Sequence, residues 1–320
     1  MDLKNMTMIK KYLFLLIAVV STAVVSAQPG TGAPTRIMKM KTADGQTLRY
    51  ELSNIAEMSF GTLFHAFDGY ILGNNAYFQD YYAGSSAKLS VYKVGEGYDV
   101  HISDPVWGEA EFENVTMGMG QLSGSGSIGG SEQYGGRTYE ATIGGPMSTP
   151  VIDIPTLMQG GTKLTFYVGT VPPSILVKGR YSGSVSVMVG TAFGPYVNNS
   201  VTYQIIANAD GTINVVVPEY TLDNTAIGNL TLGTYTISNI AYDAERGAFY
   251  RDYTGDNLSF HFKATGGTAD LDNDYTFTQL GNIEVKNTES GVSIINNFQP
   301  GRMPFPITST FTRTQSGSTH

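Results

Sequence analysis

Two Ser-x-x-Lys pairs come closest to a catalytic pattern in this sequence, Ser85 with Lys88 and Ser90 with Lys93. The motif supports covalent catalysis when one helical turn brings the lysine beside the serine hydroxyl. Here the alternation of apolar and polar residues predicts a strand instead. The pattern is therefore interpreted as a coincidence, and no catalytic residue is predicted.

The histidines do not supply a better catalytic base. His101 and His261 each alternate with apolar neighbours, so both are expected on the outer face of a strand. Covalent catalysis needs a base beside a nucleophile, and acid–base catalysis needs it within hydrogen-bond reach of its proton. The sequence therefore predicts a protein that is not an enzyme.

Three glutamates could be mistaken for an acid cluster or a cation site. Glu109, Glu111 and Glu113 recur at alternate positions, which places them on one outer face of a strand. Solvent there screens their mutual repulsion. We interpret them as a solvated face.

The stretch most similar to a metal site is "DLDND", from Asp270 to Asp274. Its alternating oxygen donors suit calcium, but Tyr275 and Gly281 stand where a calcium loop needs glycine and a bidentate glutamate. We interpret the stretch as an acidic loop between strands. Neither a metal nor a cofactor is predicted, and cation binding at this loop is left open.

Aromatic clusters are the strongest candidates for ligand contact. Rings provide stacking area and hydroxyls provide orientation, so a barrel mouth lined by them could bind a sugar or a small apolar molecule. Alternatively, such rings plug the ends of small barrels. The predicted ligand-binding residues form one group in each half of the chain: Tyr77, Phe78, Tyr81 and Tyr82, then Tyr242, Phe249, Tyr250 and Tyr253.

The elements that must position these residues are strands. The chain has 38 glycines, 20 tyrosines and 15 phenylalanines but only 14% charged residues, and valine, isoleucine and threonine recur at alternate positions. β-Branched and aromatic side chains suit a half-buried pleated surface, and glycine supplies turns. This composition predicts an all-β fold.

The N-terminal residues predict export. Lys10 and Lys11 precede the apolar run from Leu13 to Val20, and Val25-Ser26-Ala27 resembles a cleavage site. The net charge of −8 becomes more negative without residues 1–27, which argues against nucleic acid as a partner. We expect no transmembrane segment after cleavage, and a periplasmic, outer-membrane-surface or extracellular location.

The same strand–turn–strand pattern occurs twice in the sequence. In the first copy Ala87 to Val94 and Tyr98 to Ser103 flank a short turn; in the second, Val201 to Ala207 and Thr212 to Val217 do the same. Many short strands in each copy favour a barrel or sandwich, and closure into a barrel removes exposed sheet edges. Each copy is therefore expected to form its own domain.

Each copy also carries two interruptions. Pro105 and Pro218 lack the N–H that a central ladder needs, so each is expected to end a strand. The inward apolar positions then change parity near Asn114 and Thr234, which predicts a β-bulge or sharp bend at each, because a one-residue slip exchanges the faces.

The hairpin "NADGTINVVVPEYTL", the following "IGNLTL" and the closing "PFPITSTF" resemble the calycin-like β-barrel proteins secreted by Gram-negative anaerobes. The first copy, from "NAYFQDYY" onward, resembles a more divergent member, and "TADGQTLRYELSNIAEMSF" is similar to the β preface of such exported proteins. The resemblance covers most of residues 37–312. It implies lipocalin-like up-and-down barrels with a calycin-style cavity, and it implies no particular ligand.

The sequence thus predicts two tandem antiparallel calycin-like barrels after a β-hairpin. We expect an exported binding protein that takes a small apolar or glycan-type ligand in a barrel cavity. The alternative is a structural or adhesive surface protein whose outer faces and loops contact a macromolecule; the oligomeric state is left open. The predicted segments are a signal peptide (1–27), a flexible leader (28–36), the hairpin (37–60), the first barrel (61–169), a linker (170–178), the second barrel (179–312) and a disordered tail (313–320).

Overall fold

The computed structural model describes residues 37–41, 46–51, 61–130, 135–267, 271–289 and 291–313. The predicted signal peptide and leader, residues 42–45 and 52–60 of the predicted hairpin, and Asp270 lie outside the described residues. Of the predicted tail, only Arg313 is described, as the last residue of a strand. The fold is all-β, as predicted, and divides into two compact units, residues 1–170 and 171–320.

The predicted hairpin is confirmed by its two strands. Strand β1 (Ile37–Lys41) pairs antiparallel with β2 (Thr47–Glu51), with Lys41 opposite Thr47.

The first unit contains a closed antiparallel barrel. Its strands are β3 (Thr62–Asn74), β4 (Tyr81–Tyr82), β5 (Ala87–Val94), β6 (Gly97–Asp104), β7 (Gly108–Gly118), β8 (Gln121–Gly129), β9 (Thr138–Pro146), β10 (Val151–Ile154) and β11 (Thr162–Val168). Among these described strands, β3 and β5 to β11 form a ring of eight, because β11 returns to pair with β3. The short β4 is added beside β3. Closure removes the free edges of the ring.

The interior of the first barrel is packed with side chains from alternate strand positions. Leu89, Phe112, Phe166 and Trp107 are buried in one cluster. Strand β6 ends before Pro105, as predicted, and Asp104 fixes the following turn by accepting hydrogen bonds of 2.8 Å from the backbone N–H of Trp107 and from a serine hydroxyl.

The second unit opens with a helix inside the predicted linker. Helix α1 (Pro173–Val177) begins with proline at a position where the missing N–H costs nothing. Val177 is buried in the core of the second unit, and its carbonyl accepts a hydrogen bond from the Tyr181 hydroxyl at 2.9 Å. Sequence periodicity missed this helix because a single turn is too short to show a period. No helix in the described part of the chain is both long and apolar enough to cross a bilayer.

The second barrel contains eleven described strands. Its strands are β12 (Gly179–Val189), β13 (Phe193–Ala207), β14 (Ile213–Val217), β15 (Tyr220–Thr225), β16 (Gly228–Leu232), β17 (Tyr235–Asp243), β18 (Ala248–Asp252), β19 (Ser259–Thr265), β20 (Leu271–Thr288), β21 (Gly291–Pro300) and β22 (Ile307–Arg313). Pairing among these described strands closes a ring of eight through β12, β13, β14, β17, β18, β20, β21 and β22. Strands β15, β16 and β19 pair in that order and join the ring at β20.

The interruptions occur where the sequence predicts them. Strand β14 ends before Pro218, and a new strand, β15, begins at Tyr220. Strands β16 and β17 separate at Gly233, whose N–H donates to the His261 carbonyl at 2.7 Å, and at Thr234, whose hydroxyl donates to the Val217 carbonyl at 2.8 Å. In the first barrel Asn114 adopts a φ of 54° at a register slip. The predicted bulge and bend are therefore confirmed.

Candidate functional site

An apolar cavity of about 270 Å³ lies at one end of the second barrel. Its walls are side chains from five strands: Val187 on β12, Leu222 on β15, Leu232 on β16, Phe262 on β19 and Ile307 on β22. All five are buried. Each lies in a run of alternating residues, so the period of two turns the side chain inward.

Three connections between strands form the mouth of this cavity. We name them together the rim: residues 190–193, 225–228 and 301–306. They contribute Phe193, Ile227, Met303 and Phe305 to the lining. The rings of Phe193 and Phe305 meet with centroids 6.0 Å apart, although the two residues are 42% and 46% exposed.

The polar side chains of the lining already have hydrogen-bond partners. Among the described lining residues these are Thr225 and Tyr196. The Thr225 hydroxyl donates to the Gly228 carbonyl at 2.6 Å and accepts from the Ile227 N–H at 3.3 Å. The Tyr196 hydroxyl accepts from the Ala226 N–H at 3.2 Å. A ligand in the cavity therefore meets a surface of carbon.

Gly228 sets the position of the turn between β15 and β16. Its φ of 98° lies in the region that favours glycine, and a Cβ there would lie 2.3 Å from the Thr265 carbonyl oxygen. Only glycine allows the turn to approach β19 this closely. The positive φ of Gly228 thus helps to position the β15–β16 turn, which forms part of the cavity wall.

A buried polar layer lies among the interior side chains of the second barrel. The Tyr253 hydroxyl donates to Oδ1 of Asn296 at 2.7 Å, and Nδ2 of Asn296 donates to the Tyr235 hydroxyl at 2.6 Å. The Tyr220 hydroxyl and the Ser309 hydroxyl lie 3.4 Å apart. Tyr220 is two residues from the cavity wall at Leu222, so the polar layer borders the apolar space.

Burial raises the pKa values of the tyrosines in this layer. It raises the pKa of Tyr220 to about 12, against a smaller lowering by the hydrogen bond with Ser309. Burial also raises the pKa values of Tyr203, Tyr235 and Tyr253. These uncharged phenols act as hydrogen-bonding groups of the core.

The predicted aromatic residues of the second copy lie away from the cavity. Tyr253 belongs to the buried polar layer, and Phe249 is buried in the core. Tyr242 is 44% exposed and packs edge-on against Phe249. Tyr250 is half-buried under the Arg246 guanidinium, whose carbon lies 4.1 Å from the ring centroid. They share one sheet region but do not form one surface.

The predicted residues of the first copy do form a group. Phe78 and Tyr81 pack against the buried Trp107, with ring centroids 6.4 and 6.3 Å from it. Tyr77 is 68% exposed, and Tyr82 is half-buried in β4. This group covers Trp107 and presents two tyrosine rings to solvent.

None of the eight predicted residues is among the described residues that line the cavity. The signal that marks the cavity is different: apolar side chains occur in its turns, as "AF" at 192–193, "AI" at 226–227 and "MPF" at 303–305. Turns are normally polar, and exposed apolar residues there need a functional reason.

A second concavity lies on the outer face of the first barrel. It has a volume of about 410 Å³ and spans β8, β9 and β10, where Ser125, Thr142 and Asp153 lie side by side. It is larger but shallow, because small side chains form it. Of the two sites, the cavity of the second barrel is the more enclosed.

His101 and His261 lie on outer faces of their strands, as predicted. Nε2 of His101 is 2.8 Å from a Glu109 carboxylate oxygen. His261 bridges two aspartates, with Nδ1 2.8 Å from Asp274 and Nε2 2.8 Å from Asp272. The hydrogen bonds to Asp274 and then Asp272 raise the pKa of His261.

The prediction of an acidic loop is wrong for residues 271–274. They form the start of β20 and pair with β19, and Asp272 also accepts a hydrogen bond of 2.8 Å from Lys263. Alternate acidic residues fit a strand whose neighbour supplies cations, and sequence spacing alone does not show that neighbour.

Comparisons with known proteins agree with the fold. Residues 177–314 match the family described as the calycin-like beta-barrel domain. The crystal structure of a "putative outer membrane protein" from Bacteroides fragilis NCTC 9343 is similar, with a TM-score of 0.58 and 22% identity. The similarity covers 78% of this chain and 97% of that chain. The comparison with curated proteins gave no match.

Proposed function

We propose that this chain, whose second unit is a calycin-like β-barrel domain, is an exported, non-enzymatic protein that binds a small apolar ligand in that barrel. The observation that carries the proposal is the cavity lined by carbon, with Leu222, Leu232, Phe262 and Ile307 at its walls. Burial of apolar surface is the main favourable term for such a ligand.

The same lining favours an apolar ligand over a glycan. A sugar carries hydroxyl groups that must be hydrogen-bonded when they leave water, and an unpaired one costs about 1–3 kcal/mol. The Thr225 and Tyr196 hydroxyls already bond to the backbone. A ligand without internal polar groups avoids that cost.

The volume of the cavity limits the ligand. Protein pockets for drug-sized molecules measure roughly 300–1,000 Å³. At about 270 Å³, this cavity accepts a small hydrocarbon or ring system, or the end of a longer apolar chain.

The lining also supports the non-enzymatic part of the proposal. Its described residues include tyrosine and threonine but no carboxylate, imidazole or ammonium group. A general base must lie within hydrogen-bond reach of the proton it removes. A ligand in this cavity meets no such base.

A fluorescent apolar probe tests this function. N-phenyl-1-naphthylamine is expected to bind the protein with an increase in emission. Leu230 lines the cavity, so the larger ring of Leu230→Trp should occupy the space of the probe and remove that increase. The matched control is Ile206→Trp, which adds the same ring at an exposed residue of β13. Equal probe binding by both variants would refute the proposed site.

Export remains part of the proposal, and it rests on the sequence. The apolar run after Lys11 and the small residues before Gln28 support secretion. The similarity to a protein described as belonging to the outer membrane is compatible with it. N-terminal sequencing of the protein recovered from outside the cytoplasm, beginning at Gln28, is the expected result.

A second function is favoured by the aromatic group of the first barrel. Tyr77 and Tyr81 are exposed, and the Tyr77 hydroxyl donates to Gln159 at 3.2 Å. Exposed tyrosines on a rigid base suit contact with a macromolecule, as in a structural or adhesive surface protein. A partner that Tyr77→Ala releases but Leu230→Trp retains would support this function.

A further inference from the structure

The rim of the cavity is apolar although it faces solvent. Its residues read "GTAF" at 190–193, "TAIG" at 225–228 and "GRMPFP" at 301–306. Phe193 and Phe305 are exposed while they contact each other, and Pro304 and Pro306 are exposed beside them. Three turns from separate parts of the sequence thus form one apolar surface around one opening.

The charge of the rim differs from the charge of the whole chain. The chain carries a net charge of −8, whereas these rim residues contain a single ionisable group, the cation Arg302. The nearest carboxylate in the sequence is that of Asp223, which precedes the second turn. A surface of this kind is not repelled by phosphate groups, unlike most of an acidic protein.

We propose that the rim docks on a phospholipid surface and that the cavity takes an acyl chain directly from it. This inference rests on the proposed function, because it assigns the apolar ligand of the same cavity. Phe193 and Phe305 enter the boundary between headgroups and acyl chains, as exposed aromatic residues of interfacial proteins do. Arg302 then lies at the level of the lipid phosphates.

The continuity between rim and cavity favours lipid over a protein partner. Phe193, Ile227, Met303 and Phe305 belong both to the exposed rim and to the lining of the cavity. When the rim rests on a bilayer, a hydrocarbon chain passes from the membrane into the cavity without crossing water, which avoids the cost of solvating it. A protein surface would cover the opening and leave the cavity unused.

Depth-dependent fluorescence quenching tests this inference on the full chain. Phe305→Trp places an indole at the rim, while the natural Trp107 is buried in the other unit and supplies a constant background. Vesicles of phosphatidylcholine and phosphatidylglycerol are prepared with and without bromine atoms on the acyl chains. We expect a blue shift of the Phe305→Trp emission and at least about a twofold quenching by brominated chains.

Tyr242→Trp is the matched control. Tyr242 is exposed to nearly the same extent as Phe305 but lies on β17, outside the rim. Its emission should stay unquenched even if another segment of the chain binds the vesicles. Adding Phe193→Ser to Phe305→Trp should reduce quenching, because half of the aromatic pair is lost.

Each other outcome contradicts the inference. Equal quenching of both tryptophans would mean unspecific adsorption, and no quenching would mean that the rim does not enter lipid. A blue shift that depends on protein concentration, without vesicles, would identify a second copy as the occupant of the rim.

The soluble probe separates this inference from the proposed function. Binding of N-phenyl-1-naphthylamine without quenching by vesicles would leave the proposed function intact and refute docking. Quenching without probe binding would show docking but refute transfer of a chain into the cavity.

Discussion

The hydroxyl of Tyr196 accepts a hydrogen bond from the Ala226 N–H at 3.2 Å and so joins β13 to the β15–β16 turn. Among the described strands, β15 has a ladder partner in β16 but not in β13. A second side-chain link nearby runs from Nδ2 of Asn198 to the Thr221 carbonyl at 2.8 Å. Beside the cavity, the wall of the barrel is therefore held by side chains where backbone pairing stops.

We expect Tyr196→Phe to loosen this wall. The loss of one hydrogen bond should lower the free energy of unfolding by only about 0.5–1.5 kcal/mol, because water can reach the freed N–H. A bound apolar probe should dissociate faster, because the contact between β13 and the β15–β16 turn, which we call the seam, opens more easily. Stopped-flow measurement of probe release checks this.

Tyr181→Phe is the control for that seam. It removes the hydrogen bonds of the Tyr181 hydroxyl to the carbonyls of Val177 and Lys178 at the end of α1, and none of these residues lines the cavity. A similar loss of stability is expected with unchanged probe release. If both variants release the probe at the same rate, Tyr196 does not control the opening.

Gly228→Ala should be among the most destabilising changes of a single methyl group. The new Cβ combines an unfavourable φ with a collision against the Thr265 carbonyl, so a loss of more than about 2 kcal/mol is expected. Gly211→Ala shares the positive φ, but nothing lies within 4 Å of its Cβ, and about 1 kcal/mol is expected. Urea denaturation of both variants measures the difference; equal losses would argue against the close approach to β19.

Asn296→Leu should disrupt the buried polar layer. Two phenols, Tyr235 and Tyr253, would lose their partner inside the barrel, at about 1–3 kcal/mol for each unsatisfied group. Asn297→Leu changes the neighbouring residue on the outer side, where Asn282 and Thr308 can turn to water, and should cost less than about 1 kcal/mol. Thermal unfolding in the two variants distinguishes them, and the reverse order would contradict this account of the layer.

The contribution of His261 to stability should decrease as the pH rises. Its aspartate partners raise its pKa in the folded state, so the stabilisation is complete below the unfolded pKa of about 6.5 and disappears above the higher folded value. The melting temperature of the wild type should exceed that of His261→Gln at about pH 5.5, and the gap should close as the pH rises through the higher folded pKa.

Asp274→Asn supplies the control for this pH dependence. Asp274 is the largest cause of the raised pKa, so the gap between wild type and His261→Gln should shrink in that background. If the difference in melting temperature between the wild type and His261→Gln is constant with pH, protonation of His261 does not contribute to stability.

Local rules in the sequence predicted several features of the strands, although not the start of β20 at residues 271–274. Alternation placed His101 and His261 on outer faces; Pro218 marked a strand end because it lacks an N–H, and Asn114 marked a bulge because the parity of apolar residues changes there. These features depend on a residue and its immediate neighbours.

Tertiary structure alone decided the cavity and the fate of the aromatic residues. Phe193, Ala226 and Phe305 are far apart in the chain and meet only because barrel closure brings three turns to one end. Tyr253 bonds to Asn296 inside the barrel, whereas Tyr242, from the same sequence cluster, faces solvent. Side-chain period fixes which face of a strand a residue occupies, but strand register and the interruptions at Pro218 and Gly233 fix which residues share a layer. Which residues share a layer is therefore a property of the closed sheet, because each strand is positioned by partners distant in sequence.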